Sequence, residues 1–277
     1  MTNVSVVIAS IGESSLDATI EKLVNSAYRV EEIIVSVPGH KVGNITQYVR
    51  DNSRVVISPL IGQVNQRCYG FKQVSPKMDL VLQLDSDISV SPTLVGEMVK
   101  EMAELPEASA LGLKICDGLR ESDFMWKISR YKIFNAFFHF IVNGNIGFSA
   151  GMLSKTGINY PFIGLYSVTP VDWLAGGCLM HRRRNLICES FYDFEGKAYC
   201  EDLYHSSALI DHGITLYYSP KTSCQTGIFN QVGLYGGLRG ILREFRIHYR
   251  FARGRYGVSR LRFSLIYILY YMSRTKF

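Results

Sequence analysis

Asp85 and Asp87, separated only by Ser86, directly follow the apolar run Leu80-Val81-Leu82-Gln83-Leu84. Side chains two apart on extended backbone project to the same face. A strand that stays extended through Asp85 therefore aims both carboxylates at one point, where like charges require an opposite one. A hard divalent cation carrying phosphate oxygens supplies it. The same spacing also arises in turns for local reasons, so the pair needs company. Glu201-Asp202 offer it, at the start of an expected helix (Leu203, Ser206, Leu209, Ile210) that ends at His212-Gly213. Acids in a first helical turn suit the helix dipole. A carboxylate held at a helix start in a cleft can also take the proton of an attacking hydroxyl. Between the two acidic pairs lies Asp172-Trp173-Leu174-Ala175-Gly176-Gly177. Its paired glycines point to close backbone approach. Trp173 beside Asp172 suits either a sugar ring or simple packing with Asp172 as a cap. His181-Arg182-Arg183-Arg184 follows, as a solvated face or as phosphate contacts.

These residues need elements to hold them. Val4–Ala9 is a β-branched run, followed by Ser10-Ile11-Gly12-Glu13 and a helical pattern of Leu16, Ile20, Leu23 and Val24. Glu31–Val37 predicts a second strand closed by Pro38-Gly39, and Ile45–Arg50 a short helix. Val55–Ile57, Leu80–Leu84 and Leu111–Ile115 predict further strands, with helices over Gly62–Val74 and Leu94–Leu105 between them. Strands alternating with helices imply a parallel, doubly wound sheet, whose ligands bind at the carboxyl ends of the strands. Asp85–Asp87, Ser10–Glu13 and Ser36–Gly39 should share that edge. The aromatic stretch Phe124–Val142 keeps helical spacing and reads as a core or partner-facing helix, Asn143–Asn159 as a loop, and Ile214–Tyr218 as a last strand closed by Pro220.

The 277 residues are 47% hydrophobic, enough for a sizeable core, and the net charge is +6. From Gln225 to Phe277 there are ten Lys/Arg and one acid, Glu244, so the basic character is local to that end. Six cysteines without short metal spacing imply reduced thiols and a cytoplasmic setting. The expectation at the N-terminus is no signal peptide, because the basic region and long apolar run are missing. No run reaches the length that spans a bilayer.

The order of these pieces resembles the family 2 inverting glycosyltransferases, over roughly residues 4–225. It is carried by Val4–Ala9, Gly62-Gln63-Val64-Asn65-Gln66-Arg67, Leu84-Asp85-Ser86-Asp87, Trp173–Gly177 with Arg182-Arg183, and Glu201-Asp202 before a helix and a final strand. The resemblance implies a GT-A fold: an α/β, Rossmann-like, mostly parallel sheet flanked by helices. It would comprise a nucleotide-sugar-binding half (1–110) and an acceptor and catalytic half (111–225), with a basic helical tail (226–277). It implies Mn²⁺ or Mg²⁺ at Asp87 and Asp85, Asp85 reaching the metal or the donor ribose, and Asp202 as base with Glu201 beside it. Ser10, Gln63 and Arg67 would line the nucleotide pocket, and Trp173 and Gly176 would face the donor sugar or acceptor. The activity implied is hexosyltransferase-like transfer from a nucleotide-sugar, with a UDP-sugar foremost, to a lipid-linked or oligosaccharide acceptor in bacterial surface polysaccharide synthesis. The sequence departs from the family where Ser36-Val37, Glu13, and Cys224-Gln225 replace an acid, a basic residue and a histidine common in its members. The rival readings are a nucleotidyltransferase, for which Ser10–Glu13 is a poor signature, and a non-catalytic membrane scaffold.

The tail carries Arg239, Arg243, Arg246, Arg250 and Arg253 in helical steps, beside Leu234, Leu238, Ile241, Phe245, His248 and Ala252. Leu261–Met272 adds a second apolar run, too short to span a bilayer but suited to its surface. An anionic membrane is the partner expected of it, at the inner face of the plasma membrane. Packing or oligomer contact is the second use, and no nucleic-acid partner is expected because no recognised motif is present.

Overall fold

Val4–Ala9 forms the central strand β1, buried along its whole length. Its side chains alternate between two apolar clusters. Val4, Val6 and Ile8 meet helices α1 (Ser15–Val24) and α3 (Leu94–Glu104), through Leu16, Ile20, Leu94 and Met98. Val7 points the other way, with Ile34 and Val81, onto Phe71 of α2 (Gln63–Lys72). A strand covered on both faces favours apolar residues on both rather than at alternate positions, which is why Ser5 is the one polar residue in this run. Gly70 lets α2 approach closely, since a Cβ there would lie 2.6 Å from Val7 Cγ1.

The computed structural model describes residues 2–44, 52–116, 137, 139–142, 149–194, 198–226 and 237–274. The helix expected over Ile45–Arg50 and most of the stretch expected to be helical over Phe124–Val142 lie outside the described residues. So do Leu234 and residues 143–148 of the expected loop. Residues 137 and 139–142 are helical.

The remaining strands are β2 (Glu32–Pro38), β3 (Ser53–Ser58), β4 (Leu80–Asp85), β5 (Ile88–Ser89), β6 (Ser109–Cys116), β7 (Thr169–Val171), β8 (Cys178–Arg182) and β9 (Thr215–Thr226). They form one nine-stranded sheet in the order β3-β2-β1-β4-β8-β6-β9-β5, with β7 also on β9. β1 pairs in parallel with β2 and β4, β2 with β3, and β6 with β9. β8 is inserted antiparallel between β4 and β6, so β4 and β6 run the same way and the long strands share one direction. Helix α4 (Glu201–Asp211) precedes β9.

Two local expectations are corrected. Pro220 does not close the last strand, because β9 continues to Thr226. Leu113 pairs with Ser219 and the next residue, Lys114, with Ser223. Pro220 therefore sits in a bulge, where its missing N–H costs no ladder bond. The backbone is extended through Asp85, where β4 ends, but the shared face inferred for Asp85 and Asp87 does not follow from it, because Ser86-Asp87 form a turn into β5.

The chain divides into two compact units, Met1–Gly118 with Tyr166–Phe229, and Leu119–Leu165 with Asn230–Phe277. The first holds the sheet. In the second, helices α5 (Gly237–Tyr256) and α6 (Arg260–Arg274) bury Ile247, His248, Phe251 and Ala252 of one and Phe263, Ile266 and Tyr267 of the other. Gly257, at φ +65°, ends α5 in the left-handed cap that glycine favours. The His248 Nε2 lies 2.7 Å from the Gly157 carbonyl, fixing the segment around Gly157 on α5.

Candidate active site

The site is built on the carboxyl edge of the parallel strands in the first unit. Helix α2 enters there from Gly62 and presents Gln63, Gln66 and Arg67 on one face, as spacings of three and four dictate. Gln66 Nε2 donates to the carbonyls of Ser10 (2.7 Å) and Ser36 (3.0 Å), tying together the ends of β1 and β2. Gln63 Nε2 and Arg67 Nη2 both donate to Asp85 Oδ1, at 3.1 and 3.0 Å. Arg67 is 1% exposed and its Nη1 donates to Glu201 Oε2 at 2.6 Å. One buried guanidinium thus links the end of β4 to the start of α4.

The paired glycines sit between the same two elements. The Gly176 N–H donates to Asp202 Oδ1 at 2.7 Å, while its carbonyl accepts from Gln83 Nε2 at 2.5 Å. The Asp85 N–H donates to the Gly177 carbonyl at 2.9 Å. A Cβ at Gly176 would lie 2.6 Å from Asp202 Oδ1 and 2.9 Å from Glu201 Oε1, so only glycine leaves room for both acids. Cys200, immediately before them, is held at φ +56°, a conformation sparsely populated by residues other than glycine and often found at functional sites.

The edge is crowded with negative charge. Burial raises the Asp85 carboxyl to about 6 against the pull of Arg67. Burial, then Glu201, raises Asp202 to about 7. Burial works against the Arg67 cation, but Glu201 and Asp85 outweigh it and hold the guanidinium firmly protonated. Below the acids, His181 and His205 have ring centroids 5.5 Å apart. Burial drives both towards the neutral form, His181 to about 3, so neither supplies a second positive charge.

The raised carboxyls have a consequence for stability. An unfolded Asp202 ionises near the ordinary 3.8 and the folded one near 7. Between those values the folded chain holds the extra proton, so the contribution is present at low pH and lost as pH rises through about 7. Asp202→Asn should therefore gain thermal stability relative to the unsubstituted chain on going from about pH 5 to about pH 8. Scanning calorimetry of both proteins at both pH values checks this, and the comparison cancels the opposing effect of the neutral histidines.

The structure brings Gln63, Arg67, Asp85, Gly176, Glu201 and Asp202 into one hydrogen-bonded set. Asp87 lies at its margin, half-buried like Asp85, with Oδ2 accepting from Thr226 Oγ1 at 2.8 Å. Ser10 is adjacent through its carbonyl, but its hydroxyl turns to the Glu13 carboxylate and accepts from the Gly12 N–H. Trp173 is half-buried in the loop before Leu174, whose N–H donates to Ser206 Oγ on α4. Two participants carry no role in the sequence reading. Gln83 is a fully buried amide inside an apolar strand, and that break in the run is a signal that could have found it. Gln66 is legible only through its spacing from Gln63.

Among the described residues no three His, Cys, Asp or Glu side chains gather in a way that could hold a metal ion. Asp85 and Asp87 are nevertheless hard oxygen donors at an edge where carboxylates outnumber buried cations. Magnesium-type sites commonly take one or two carboxylates and complete their shell with substrate phosphates. The donor set fits that chemistry.

No protein-family model and no curated protein matches the sequence. Solved structures do match in fold. GalNAc-T7, crystallised with UDP, GalNAc and Mn²⁺, aligns over 99% of this chain and 55% of its own, with a TM-score of 0.57 and 15% identity. S. aureus TarS 1–349 aligns over 98% and 71%, at 0.54 and 13%. A mycobacterial protein aligns over 93% and 76%, at 0.56 and 12%. The chain spans little more than half the length of the GalNAc-T7 chain. At such identities the likeness is one of architecture: this chain has the GT-A-type α/β fold of glycosyltransferases.

Proposed function

We propose that this protein transfers a sugar from a nucleotide-sugar to an acceptor hydroxyl, inverting the anomeric centre. The observation that carries the reading is Asp202. It is a carboxylate fixed by the Gly176 N–H, raised to about 7 and linked through Arg67 and Glu201 to the acidic end of β4. A base poised near neutral pH is suited to proton transfer in the transition state. Glu201 is committed to Arg67, which favours Asp202 over Glu201 as the base.

In this mechanism Asp202 takes the proton of the acceptor hydroxyl as its oxygen attacks the anomeric carbon in line. The bond from that carbon to the diphosphate oxygen breaks, and the nucleoside diphosphate departs. One carboxylate suffices for direct displacement, whereas retention through a glycosyl-enzyme needs a second carboxylate as nucleophile. Asp87 and Asp85 would hold Mn²⁺ or Mg²⁺, which when bound supplies Lewis-acid neutralisation of the departing diphosphate. Arg67 and Gln63 orient Asp85, and Gly176 orients Asp202. The UDP, GalNAc and Mn²⁺ in the GalNAc-T7 structure support a UDP-sugar donor and a divalent ion. A lipid-linked acceptor in surface polysaccharide synthesis remains part of this proposal.

Calorimetric titration of the full chain against UDP-, GDP-, dTDP- and CMP-sugars, with and without Mn²⁺, tests it. The expected result is binding of one nucleotide class only with metal, with loss of that dependence in Asp87→Ala while the fold persists. A folded chain that binds none of them, or an Asp87→Ala chain with unchanged metal-dependent affinity, overturns the corresponding assignment.

A further inference from the structure

The C-terminal helices leave an unusual surface. The apolar stripe that the sequence places on α5, including His248 and Ala252, is turned inward, packing with Phe263 and Tyr267 of α6. At the start of α5, Leu238 of that stripe and Leu242 are instead 71% and 46% exposed, and α6 carries a longer exposed line. Leu261, Leu265 and Ile268 are 75%, 55% and 55% exposed. Their spacing of four and three residues puts them on one line along α6. At 100° per residue, Arg260 and Arg262 fall on opposite flanks of that line, and both are exposed. The helix packed against it, α5, exposes Arg239, Arg243 and Arg246. Arg262 Nη2 also donates to the Ile141 carbonyl at 2.8 Å, which holds its guanidinium beside the helix. A stripe of aliphatic side chains in water, flanked at its first turn by two arginines, is the reverse of an ordinary surface helix.

We infer that this face of α6 docks on a lipid bilayer containing anionic lipids. The helix lies in the interface plane, with Leu261, Leu265 and Ile268 entering the boundary between headgroups and acyl chains. The flanking arginines extend their stems along that apolar surface and place their charges on lipid phosphates. No helix among the described residues is long and apolar enough to cross a membrane, so the arrangement is surface docking and not spanning. Charge decides against the other occupants. A second copy meeting this face symmetrically would set arginines against arginines. A nucleic acid would satisfy the arginines but leave three aliphatic side chains uncovered, with no aromatic among the described residues of the stripe on which bases could stack. The inference stands on this surface alone and is independent of the sugar-transfer reading.

The test is co-sedimentation of the full chain with phosphatidylcholine vesicles, with and without about 30% phosphatidylglycerol. Each basic residue near an anionic surface contributes about fivefold, so binding should be at least tenfold tighter to the anionic vesicles and should weaken with salt. Leu261→Glu with Leu265→Glu should lower it at least tenfold with an unchanged circular dichroism spectrum. Leu265→Trp gives a readout that needs no loss of function, since its emission should shift to the blue on adding anionic vesicles. Equal binding by the glutamate variant, or no tryptophan shift, overturns the inference. So does the absence of vesicle binding together with a leucine-dependent dimer in sedimentation velocity, or with salt-sensitive binding of a single-stranded oligonucleotide.

Discussion

Replacing Asp202 with asparagine should cut the rate of sugar transfer by about 10²- to 10⁴-fold, the usual contribution of a positioned general base. Asparagine keeps the shape and can still accept from the Gly176 N–H through its amide oxygen. It cannot take a proton. Donor affinity should therefore hardly change, and the loss should fall on kcat. The unsubstituted chain should show a rate that rises with pH through about 7 and then levels, because the base must be ionised to act. The residual rate of the asparagine variant should lack that inflection. A variant that keeps full kcat and the same pH profile would move the base to another residue, with Glu201 the first to examine.

Arg67→Met should have the largest effect on stability. The arginine is 1% exposed and bonded to both Asp85 and Glu201. Removing one partner from a buried ion pair leaves uncompensated charge, at a cost of about 3–5 kcal/mol. Two carboxylates are orphaned here, so the value should lie at the upper end. Without the guanidinium, Asp85 should ionise less readily, and protonation removes the unpaired charge. The deficit should therefore be greatest above neutrality and shrink as pH falls, which urea unfolding at about pH 5 and about pH 8 measures. Arg67→Lys should recover only part of it, since a single ammonium lacks the planar fork that reaches two carboxylates at once.

Much of this architecture is legible along the chain because its causes are local. Val4–Ala9 and Leu80–Leu84 are apolar runs broken only by Ser5 and Gln83, the composition that strands buried on both faces favour. The structure gives strands over Val4–Ala9 and Leu80–Asp85. Glu201-Asp202 mark the start of α4 and Gly213 lies just past its end, as dipole and cap preferences require. Gln63 and Arg67 share a face because they are four apart in a helix. Where the reading failed, a tertiary contact had overridden a local preference. Pro220 breaks strands in isolation, yet β6 accommodates it in a bulge and β9 runs on. Extended backbone would put Asp85 and Asp87 on one face, but the chain turns at Ser86-Asp87 and pairs Ile88 with Thr226.

By itself the sequence determined six of the nine strands, the ends of α4 and the positions of the acids, since each depends on neighbours within a turn or two of backbone; it gave no range for β5, β7 or β8. Only the tertiary structure decided which acids are partners. Arg67 reaches Glu201 across 134 residues and Asp85 across 18. Gln83 reaches Gly176 across 93. Those distances close only because β8 is inserted beside β4, bringing the Gly176-Gly177 turn to the end of the strand that carries Asp85. Glu201 is thereby ion-paired with Arg67, and Asp202 is left buried beside it, bonded to the Gly176 N–H. That difference between adjacent carboxylates comes from burial and charge set by the assembled sheet, and no spacing along the chain encodes it.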